Sequence, residues 1–250
     1  MIICQSANVP INFNPTKFQT TFQATFMATS TVENYLKRLY LEQMGGDGQM
    51  VPMGRVAAAM GVVPGTATSM VKALADSGLA EYEPRGGVRL THSGEQLALH
   101  VLRRHRLVEL FLVKVLGLDW SVVHDEADML EHAISDRVLE RIDVLLGHPT
   151  ADPHGDPIPT AKGHLHEPRR MSLVDCPLSE AQTVARVLDQ DPEFLQFADR
   201  NGLVPGSSIT VTRREPAAEA VRIRNSRGEE IPLGLAAAAK ILVEPKKIQL

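Results

Sequence analysis

Residues 52–78 read PMGRVAAAMGVVPGTATSMVKALADSG, and this stretch decides the fold of the N-terminal half of the chain. Pro52 opens a short predicted helix that stops at Gly61. Pro64 opens a second helix, at a position where its missing N–H costs nothing. Two helices joined by a short turn with glycine are typical of the helix-turn-helix unit of DNA-binding proteins. We expect its small core to consist of Ala57, Val62, Val71 and Leu74.

Two short predicted strands follow this unit, at residues 79–82 and 88–91, around a turn at 83–87. They form a β-hairpin, which makes the unit a winged helix-turn-helix. Hydroxyl and cationic side chains can reach base edges and phosphates from the second helix and from the wing. The predicted DNA-contacting residues are Thr66, Thr68, Ser69 and Lys72 on the second helix, Arg55 on the first, and Arg85 at the wing tip. The alternative is a Ser/Thr-rich surface helix that binds no ligand.

Further helices are predicted on both sides of this unit from apolar residues at helical spacing. One covers residues 29–44 and precedes it. A long one begins at Thr91 and runs to about Val115, and two more cover residues 121–133 and a stretch that starts at Ser135. The central part of the chain is therefore expected to be helical.

Two of these helices carry faces suited to a divalent cation. In the stretch from His124 to His132, HDEADMLEH, the side chains of Asp128, Glu131 and His132 share one helical face, and His124 precedes it by one turn. His105 and Glu109, four residues apart on the preceding helix, form a similar pair of a histidine and a carboxylate. If the two helices pack together, they can surround a metal ion. The alternative is a pair of solvated acidic helices.

The charge distribution agrees with DNA binding followed by cation binding. The formal net charge is −4, which excludes a general polycation, so nucleic acid would have to be bound by a local patch. Residues 51–106 hold seven Lys/Arg against four Asp/Glu, whereas residues 119–152 hold nine acidic residues against two basic ones. The first region is mildly basic and the second suits cations.

Cysteine use and hydropathy indicate a protein of the reducing cytoplasm. Cys4 and Cys176 lie far apart, without the spacing of a zinc knuckle or a disulfide framework. No apolar run approaches the roughly 18 residues that a membrane span needs. Residues 1–27 are rich in Asn, Gln, Thr and Phe, and we expect them to form a disordered extension.

The last hundred residues differ in character. Residues 149–169 contain four prolines in their first eleven positions, together with glycine and histidine, and are predicted to be a linker. Beyond them, short strands are predicted at 171–174, 208–212, 220–223 and 241–243, with a helix at 179–188 and a short helix or turn at 233–240. Several short strands in about 75 residues suggest a small β-barrel.

At this level of detail the chain resembles a known family. Residues 28–160 are similar to the diphtheria toxin repressor family of metal-dependent transcription regulators, in particular its manganese-sensing branch. Residues 170–245 resemble the Src-homology-3-like (FeoA-type) domain of its longer members. The motifs that carry the resemblance are Glu33-Asn34-Tyr35-Leu36, Pro64-Gly65-Thr66-Ala67-Thr68-Ser69, Thr91-His92-Ser93-Gly94, Arg104-His105-Arg106-Leu107, Val123-His124-Asp125-Glu126-Ala127, Glu131-His132 and Gly155-Asp156-Pro157-Ile158-Pro159.

The resemblance implies a homodimer that binds a palindromic operator on double-stranded DNA when metal is bound, and so represses genes for metal uptake. It implies a primary metal site at Asn34, Asp128, Glu131 and His132. It implies a second site at His105, Glu109 and His124, with Asp152 and His154 as further ligands. Asp189, Asp191 and Glu193 are candidates from the C-terminal domain.

The metal itself is expected to be Mn(II), with Fe(II) as the alternative. Iron-selective members of the family carry a cysteine where this chain has Asp128, and a carboxylate favours manganese whereas a thiolate favours softer metals. Asn34 stands where relatives offer Asp or Met. Its neutral amide attracts a cation less strongly, so the adjacent Glu33 is a further candidate ligand.

The fold class expected from all this is mainly α with α+β parts. The predicted divisions are an extension (1–27), a winged helix-turn-helix domain (28–98), a helical metal-binding and dimerisation domain (99–148), a linker (149–169) and the SH3-like domain (170–250). Two other functions remain open at this point. One is a metal-dependent hydrolase with Glu126 or Glu131 as base, although the chain has no His-Glu-x-x-His pattern. The other is a winged-helix regulator without metal control.

Overall fold

The computed structural model describes residues 29–46 and 49–246. The extension predicted for residues 1–27 lies outside these described residues. The chain folds into a helical N-terminal half with a two-stranded hairpin and a C-terminal half built on one antiparallel sheet. The expected class, mainly helical with a small β domain at the C-terminus, is confirmed.

The winged helix-turn-helix has the predicted elements. Helix α1 (Ser30–Met44) begins at Thr29, whose side chain accepts a hydrogen bond from the Val32 N–H. Helices α2 (Met53–Ala59) and α3 (Pro64–Asp76) follow, and strands β1 (Ala80–Glu83) and β2 (Gly87–Leu90) pair antiparallel to make the wing. Of the four predicted core residues, Ala57, Val71 and Leu74 are buried and Val62 packs against them partly exposed.

Helix α4 (His92–Lys114) joins this unit to the rest of the helical half. Its first part packs into the winged-helix core through Ala98, and its second part packs against the next two helices through Leu107 and Leu112. These helices are α5 (Val123–Leu130) and α6 (Asp136–Leu145). The predicted division between residues 98 and 99 falls inside α4, so one continuous helix serves both regions.

The C-terminal half is a six-stranded antiparallel sheet in the order β3-β8-β4-β5-β6-β7. Its elements are β3 (Met171–Ser172), β4 (Ala181–Val187), α7 (Pro192–Arg200), β5 (Ser208–Glu215), β6 (Ala220–Arg224), β7 (Glu230–Gly234), α8 (Leu235–Ala239) and β8 (Ile241–Pro245). The helix predicted for residues 179–188 is wrong, because this segment is strand β4. Helix α7 and strand β7 were not predicted.

Residues 149–160 connect the two halves, but they are not a solvated tether. Asp152, His154, Asp156 and Ile158 are all buried. Two arginines of α4 hold the segment, since Arg103 and Arg106 donate hydrogen bonds to the carbonyls of Pro159 and Pro157. On its other side the His154 carbonyl accepts a hydrogen bond from the Val187 N–H of β4. Proline removes backbone donors here, and side chains use the carbonyls that remain.

Among the helices in the described ranges, none is long and apolar enough to cross a membrane.

Candidate metal centre

Four elements bring the predicted ligands together. Helix α1 contributes Asn34 near its beginning, and α4 contributes His105 and Glu109 one turn apart. Helix α5 contributes His124 and Asp128, while Glu131 and His132 lie in the turn that follows it. The connecting segment contributes Asp152 and His154. All nine predicted ligands therefore line one region where α1, α4, α5 and residues 152–154 meet.

The first cluster lies between α1 and the end of α5. The Nε2 atom of His132 is 3.0 Å from Oδ1 of Asn34 and 3.3 Å from Oε1 of Glu131, and its Nδ1 is 2.5 Å from Oε2 of Glu33. Glu33 is in turn paired with Arg104 at 3.2 Å. The structure thus places Glu33 beside His132, as the neutral side chain of Asn34 led us to consider.

Lys37 was missed by the sequence argument, although it lies at the centre of this cluster. Its ammonium group donates to Oδ1 of Asp128 at 2.8 Å and to both oxygens of Glu131 at 2.8 and 2.9 Å. The available signal was its spacing, since Lys37 follows Glu33 by four residues and Asn34 by three, on the same helical face.

His105 links the first cluster to the second. Its Nδ1 lies 2.7 Å from Glu131 and 3.1 Å from Asp128, and its Nε2 lies 3.0 Å from Oε1 of Glu109 and 3.1 Å from Nδ1 of His124. Burial opposes protonation of this imidazole, but hydrogen bonds to Asp128, Glu109 and Glu131 prevail and hold the pKa of His105 well above its ordinary value. Three carboxylates around His105 thus favour its protonated form in the absence of metal, and a bound ion would take the place of that proton.

The same neighbours lower the pKa values of the surrounding carboxyl groups. Burial would raise the pKa of Glu109, but hydrogen bonds from His105 and His124 hold it well below its usual range. Burial likewise opposes ionisation of Asp128, and hydrogen bonds from His105 and Lys37 hold the pKa of that carboxyl well below its usual range. Both groups are anionic at neutral pH, as ligands of a cation must be.

The second cluster consists of Glu109, Asp152 and His154, which are all buried. Within residues 29–46 and 49–246, three of their polar atoms have no hydrogen-bond partner, namely Oε2 of Glu109, Oδ2 of Asp152 and Nδ1 of His154. A Glu109–His154 separation of 3.9 Å is too long for a hydrogen bond. Buried polar atoms of this kind normally have a partner. A shared cation would satisfy all three.

The pKa of Asp152 is shifted in the opposite direction to the pKa values of Glu109 and Asp128. Burial, together with the negative charges of Asp156 and Glu109, raises the pKa of Asp152 well above its ordinary value. His154 is held by its other nitrogen, because Nε2 lies 2.9 Å from the carbonyl of Trp120. This contact directs Nδ1 of His154 towards Glu109, the orientation that a ligating histidine needs.

The two sets of atoms that lie close enough to share one ion differ from the predicted grouping. One set is His105, His124 and Asp128, and the other is Glu109, Asp152 and His154, with ligand atoms within 4.8 Å of one another in each. Glu109 touches both sets, so the ligands form a continuous chain. Imidazole and carboxylate donors suit first-row divalent ions such as Mn(II) and Fe(II). The residues present thus fit a metal.

The candidates from the C-terminal domain are engaged elsewhere. Asp189 pairs with Lys240 at 2.5 Å, and Asp191 caps helix α7 by accepting from the backbone N–H groups of Glu193 and Phe194. Glu193 itself is exposed in the first turn of that helix.

The predicted DNA-contacting side chains are on the surface of the winged-helix unit. Thr66, Ser69 and Lys72 are exposed on α3, and Arg85 is exposed at the wing tip with a φ of 68°. The hydroxyls of Thr68 and Ser69 donate to the carbonyls of Pro64 and Gly65, so they would have to rotate to meet a base. Arg55 is exposed but paired with Glu42.

Comparison with known proteins follows the same division of the chain. Residues 27–88 match the family described as "Iron dependent repressor, N-terminal DNA binding domain", and residues 91–160 match "Iron dependent repressor, metal binding and dimerisation domain". Residues 171–245 match the FeoA domain.

Two curated relatives align over most of their length. The iron-dependent repressor IdeR of Mycobacterium bovis is 31% identical over 225 residues, which are 84% of this chain and 96% of that protein. The diphtheria toxin repressor of Corynebacterium efficiens is 31% identical over 197 residues, which are 74% of this chain and 84% of that protein.

Two solved structures are similar in fold and sequence. A manganese-dependent transcriptional repressor in complex with manganese has a TM-score of 0.76 and 39% identity, covering 85% of this chain and 99% of the other. The structure of ScaR with bound Cd2+ has a TM-score of 0.71 and 34% identity, covering 86% and 99%.

Proposed function

This chain belongs to the iron-dependent repressor family that includes the diphtheria toxin repressor, and we propose that it is a manganese-responsive member. It is a metal-dependent transcriptional repressor with a DNA-binding domain, a metal-binding and dimerisation domain and a FeoA domain. It is not an enzyme, so the hydrolase considered from the sequence is set aside, as is a regulator without metal control.

The observation that supports Mn(II) as the bound metal is the set of donor atoms at the end of α5. Asp128 offers a carboxylate that is held anionic, and the groups around it are carboxylates, imidazoles and one amide. Oxygen donors suit Mn(II), whereas a thiolate at this position would select softer ions. Cys176 is buried in the core of the C-terminal sheet and belongs to neither set of ligand atoms. Two of the similar structures are manganese-dependent repressors by name, which supports the same choice.

The proposed ligands fall into two sites. Asn34, Asp128, Glu131 and His132 hold one ion, with Glu33 beside them. Asp128 also lies within 4.8 Å of the ligand atoms of His105 and His124, so it borders both sites. His105, Glu109, His124, Asp152 and His154 hold the other. When bound, the ion supplies positive charge that offsets the mutual repulsion of these carboxylates. The three unpartnered atoms of Glu109, Asp152 and His154 support the second site.

Helix α1 connects the metal centre to the DNA-reading unit. Its first half carries Asn34 to the ligands. At its other end the buried side chain of Gln43 accepts a hydrogen bond from the Leu90 N–H of the wing at 2.7 Å. A helix of 15 residues is stiff, so a change in how its first half docks on α5 is passed to β2. We therefore assign α1 as the element that couples metal to DNA affinity.

The chain acts as a DNA-binding homodimer, and the operator is proposed to be palindromic. Two-fold symmetry places one reading helix in each of two successive major grooves, about 34 Å apart. The proposed dimer contact uses apolar side chains that this monomer leaves exposed around α5 and α6, namely Val122, Met129, Leu130 and Val138. Metal favours the DNA-bound form only if it binds that form more tightly than the free form.

DNA affinity measured with each metal in turn tests the manganese assignment. Duplexes are selected from a random pool by the Mn(II)-loaded protein, and fluorescence anisotropy then measures affinity under chelator, under Mn(II) and under anaerobic Fe(II) at matched free concentrations. We expect DNA binding under Mn(II) at concentrations where Fe(II) has little effect. The variant Asp128→Cys should shift this preference towards Fe(II). Equal or stronger activation of the unaltered protein by Fe(II) would reject manganese in favour of iron.

A further inference from the structure

We propose that Lys37 is a tethered cation that competes with the divalent ion for Asp128 and Glu131 and so sets the metal concentration at which this repressor responds. The inference rests on the proposed function, because it concerns the ligands of the first site. It adds a residue that is not itself a ligand and that lowers the affinity of the site.

The contacts place the ammonium where the charge of a metal would act. Nζ of Lys37 lies 2.8 Å from Asp128, and 2.8 and 2.9 Å from the two oxygens of Glu131. Nδ1 of His105 is a further 3.4 Å neighbour. Three carboxylate oxygens thus converge on one side-chain cation, and two of them belong to one residue.

Burial makes this ion pair strong. Lys37 is 5% exposed and Glu131 is fully buried, so water does not screen them. Removing either partner would leave an uncompensated buried charge. Asp128 is less buried, with 38% of its side chain exposed, and is the more accessible oxygen donor for an incoming ion.

Lys37 and a divalent ion cannot share these oxygens. An ion ligated by Glu131 or Asp128 would lie within a few ångströms of a monovalent ammonium, and like charges at that distance repel strongly in a buried site. A cation of higher charge therefore binds here only by moving Lys37 away. The free energy of the Lys37 pairs is subtracted from the metal affinity.

The structure gives the lysine room to move. A cavity of about 200 Å³ adjoins the cluster and is lined by Lys37 itself, by Arg38 and Leu41 of α1, and by Glu109, Asp156 and Gln190. Four methylene groups connect the ammonium to the backbone, so it can swing into this cavity without shifting α1. Acidic side chains (Glu109, Asp152 and Asp156) and basic ones (Arg38, Arg106 and Arg186) both line this cavity, so the displaced ammonium keeps carboxylate neighbours there.

The alternative is a purely structural role, in which Lys37 only ties α1 to α5. The two roles predict opposite effects on metal affinity. If Lys37 competes, its removal tightens metal binding. If it is only a tie, its removal loosens the site and weakens metal binding or leaves it unchanged.

Calorimetric titration with Mn(II) distinguishes them, without any DNA. The proteins compared are the unaltered chain, Lys37→Met, and Lys114→Met as a control that makes the same substitution at an exposed position in the last turn of α4. We expect Lys37→Met to lower the Kd of the first site about tenfold or more, the change expected when a buried ion pair no longer has to be displaced. Lys114→Met should stay near the original value. The metal-free Lys37→Met protein should also melt at a lower temperature, and Mn(II) should raise its melting temperature by more than it raises that of the unaltered chain.

Unchanged or weaker binding by Lys37→Met would overturn the inference. If this variant does not fold without metal, Lys37→Gln replaces it, since its amide can still donate to Glu131, and tighter binding is again expected. The proposed function is tested separately by Glu131→Gln. If the unaltered chain binds no Mn(II), or if Glu131→Gln binds it equally well, the first site itself is wrong. If those results are as proposed and only the Lys37 variants fail to bind Mn(II) more tightly, the inference about Lys37 is wrong and the first site stands.

Discussion

The indole ring of Trp120 stacks on the imidazole of His154, with ring centroids 5.6 Å apart, and its own backbone carbonyl lies 2.9 Å from Nε2 of that histidine. Trp120 is the single tryptophan of the chain. Its fluorescence therefore reports on the second metal cluster. We predict that Mn(II) quenches or shifts this emission in one saturable phase, measured by steady-state titration.

Variants assign that phase to a site. Glu109→Gln removes a carboxylate charge from the second cluster and should abolish or strongly weaken the fluorescence response. His132→Ala affects the first cluster and should leave it in place. A response that disappears with His132→Ala and survives Glu109→Gln would show that Trp120 senses the first cluster instead.

Gly155 is predicted to be required for the close packing of the connecting segment against β4. Its φ is +86°, and a Cβ here would lie 2.0 Å from the carbonyl oxygen of Ala185 and 2.8 Å from Cα of Arg186. We expect Gly155→Ala to lower the free energy of unfolding by about 3 kcal/mol, from backbone strain and overpacking together. Gly117 also has a positive φ, +72°, but open space around it, so Gly117→Ala should cost only about 1 kcal/mol. Urea unfolding of both variants under chelator measures the difference, and equal losses would refute the steric argument.

The helical half could be predicted from sequence because its signals are local. Pro64 marks the start of α3, Thr91 caps α4, and the apolar spacing along each helix is regular. Strand β4 could not. Its register shifts between Val184 and Arg186, so Gln182, Val184 and Val187 face inward at a spacing that alternation does not predict. A β-bulge had given a strand the apparent period of a helix.

The metal centre likewise has a part that local sequence predicts and a part that it does not. The pairs His105 with Glu109 and His124 with Asp128 are each one helical turn apart, so the sequence shows them. The position of Lys37 depends on how α1 packs against α5, which no local pattern contains. The burial of Asp152 and His154 was equally hidden, since a segment rich in proline usually lies at the surface. Here the arginines of α4 and the end of β4 bury it.

Acid should remove a local contribution of Asp119 to stability. The Asp119 carboxylate accepts hydrogen bonds from the side chain and backbone N–H of Ser121, and these bonds hold the pKa of Asp119 below its ordinary value. A group whose pKa is lowered by folding stabilises the protein above its unfolded-state pKa, and this contribution is lost as the pH falls through the folded value.

Comparison with Asp119→Asn isolates this effect, because asparagine can still accept a hydrogen bond but does not titrate. The stability difference between the two proteins, from urea unfolding under chelator, should favour aspartate at pH 7 and shrink towards zero as the pH falls below about 4. A difference that stays constant with pH would rule out the linkage.

Lys72 is predicted to bind the DNA backbone. It is exposed on the reading helix α3, and an ammonium there suits a phosphate. We expect Lys72→Ala to weaken binding of the Mn(II)-loaded protein to all sequences alike and to reduce the slope of log affinity against log salt by about 1, because one phosphate is no longer neutralised. Lys114→Ala, at the far end of α4, makes the same charge change outside the winged helix and should leave the slope unaltered. Equal slopes for the unaltered chain, Lys72→Ala and Lys114→Ala would show that Lys72 does not contact a phosphate.

Gln43 is predicted to transmit the state of the metal centre to the wing. Gln43→Met removes the acceptor of the buried Leu90 N–H and should cost about 1–3 kcal/mol of stability. Because α1 then holds β2 less firmly, the ratio of DNA affinities with and without Mn(II) should fall, while Mn(II) binding itself stays the same. Gly117→Ala is the control for reduced stability, since it leaves α1 untouched and should preserve that ratio. Calorimetry and anisotropy on the same preparations separate the two quantities. If Gln43→Met keeps the full ratio, or if Gly117→Ala lowers it equally, α1 is not the element that couples metal to DNA.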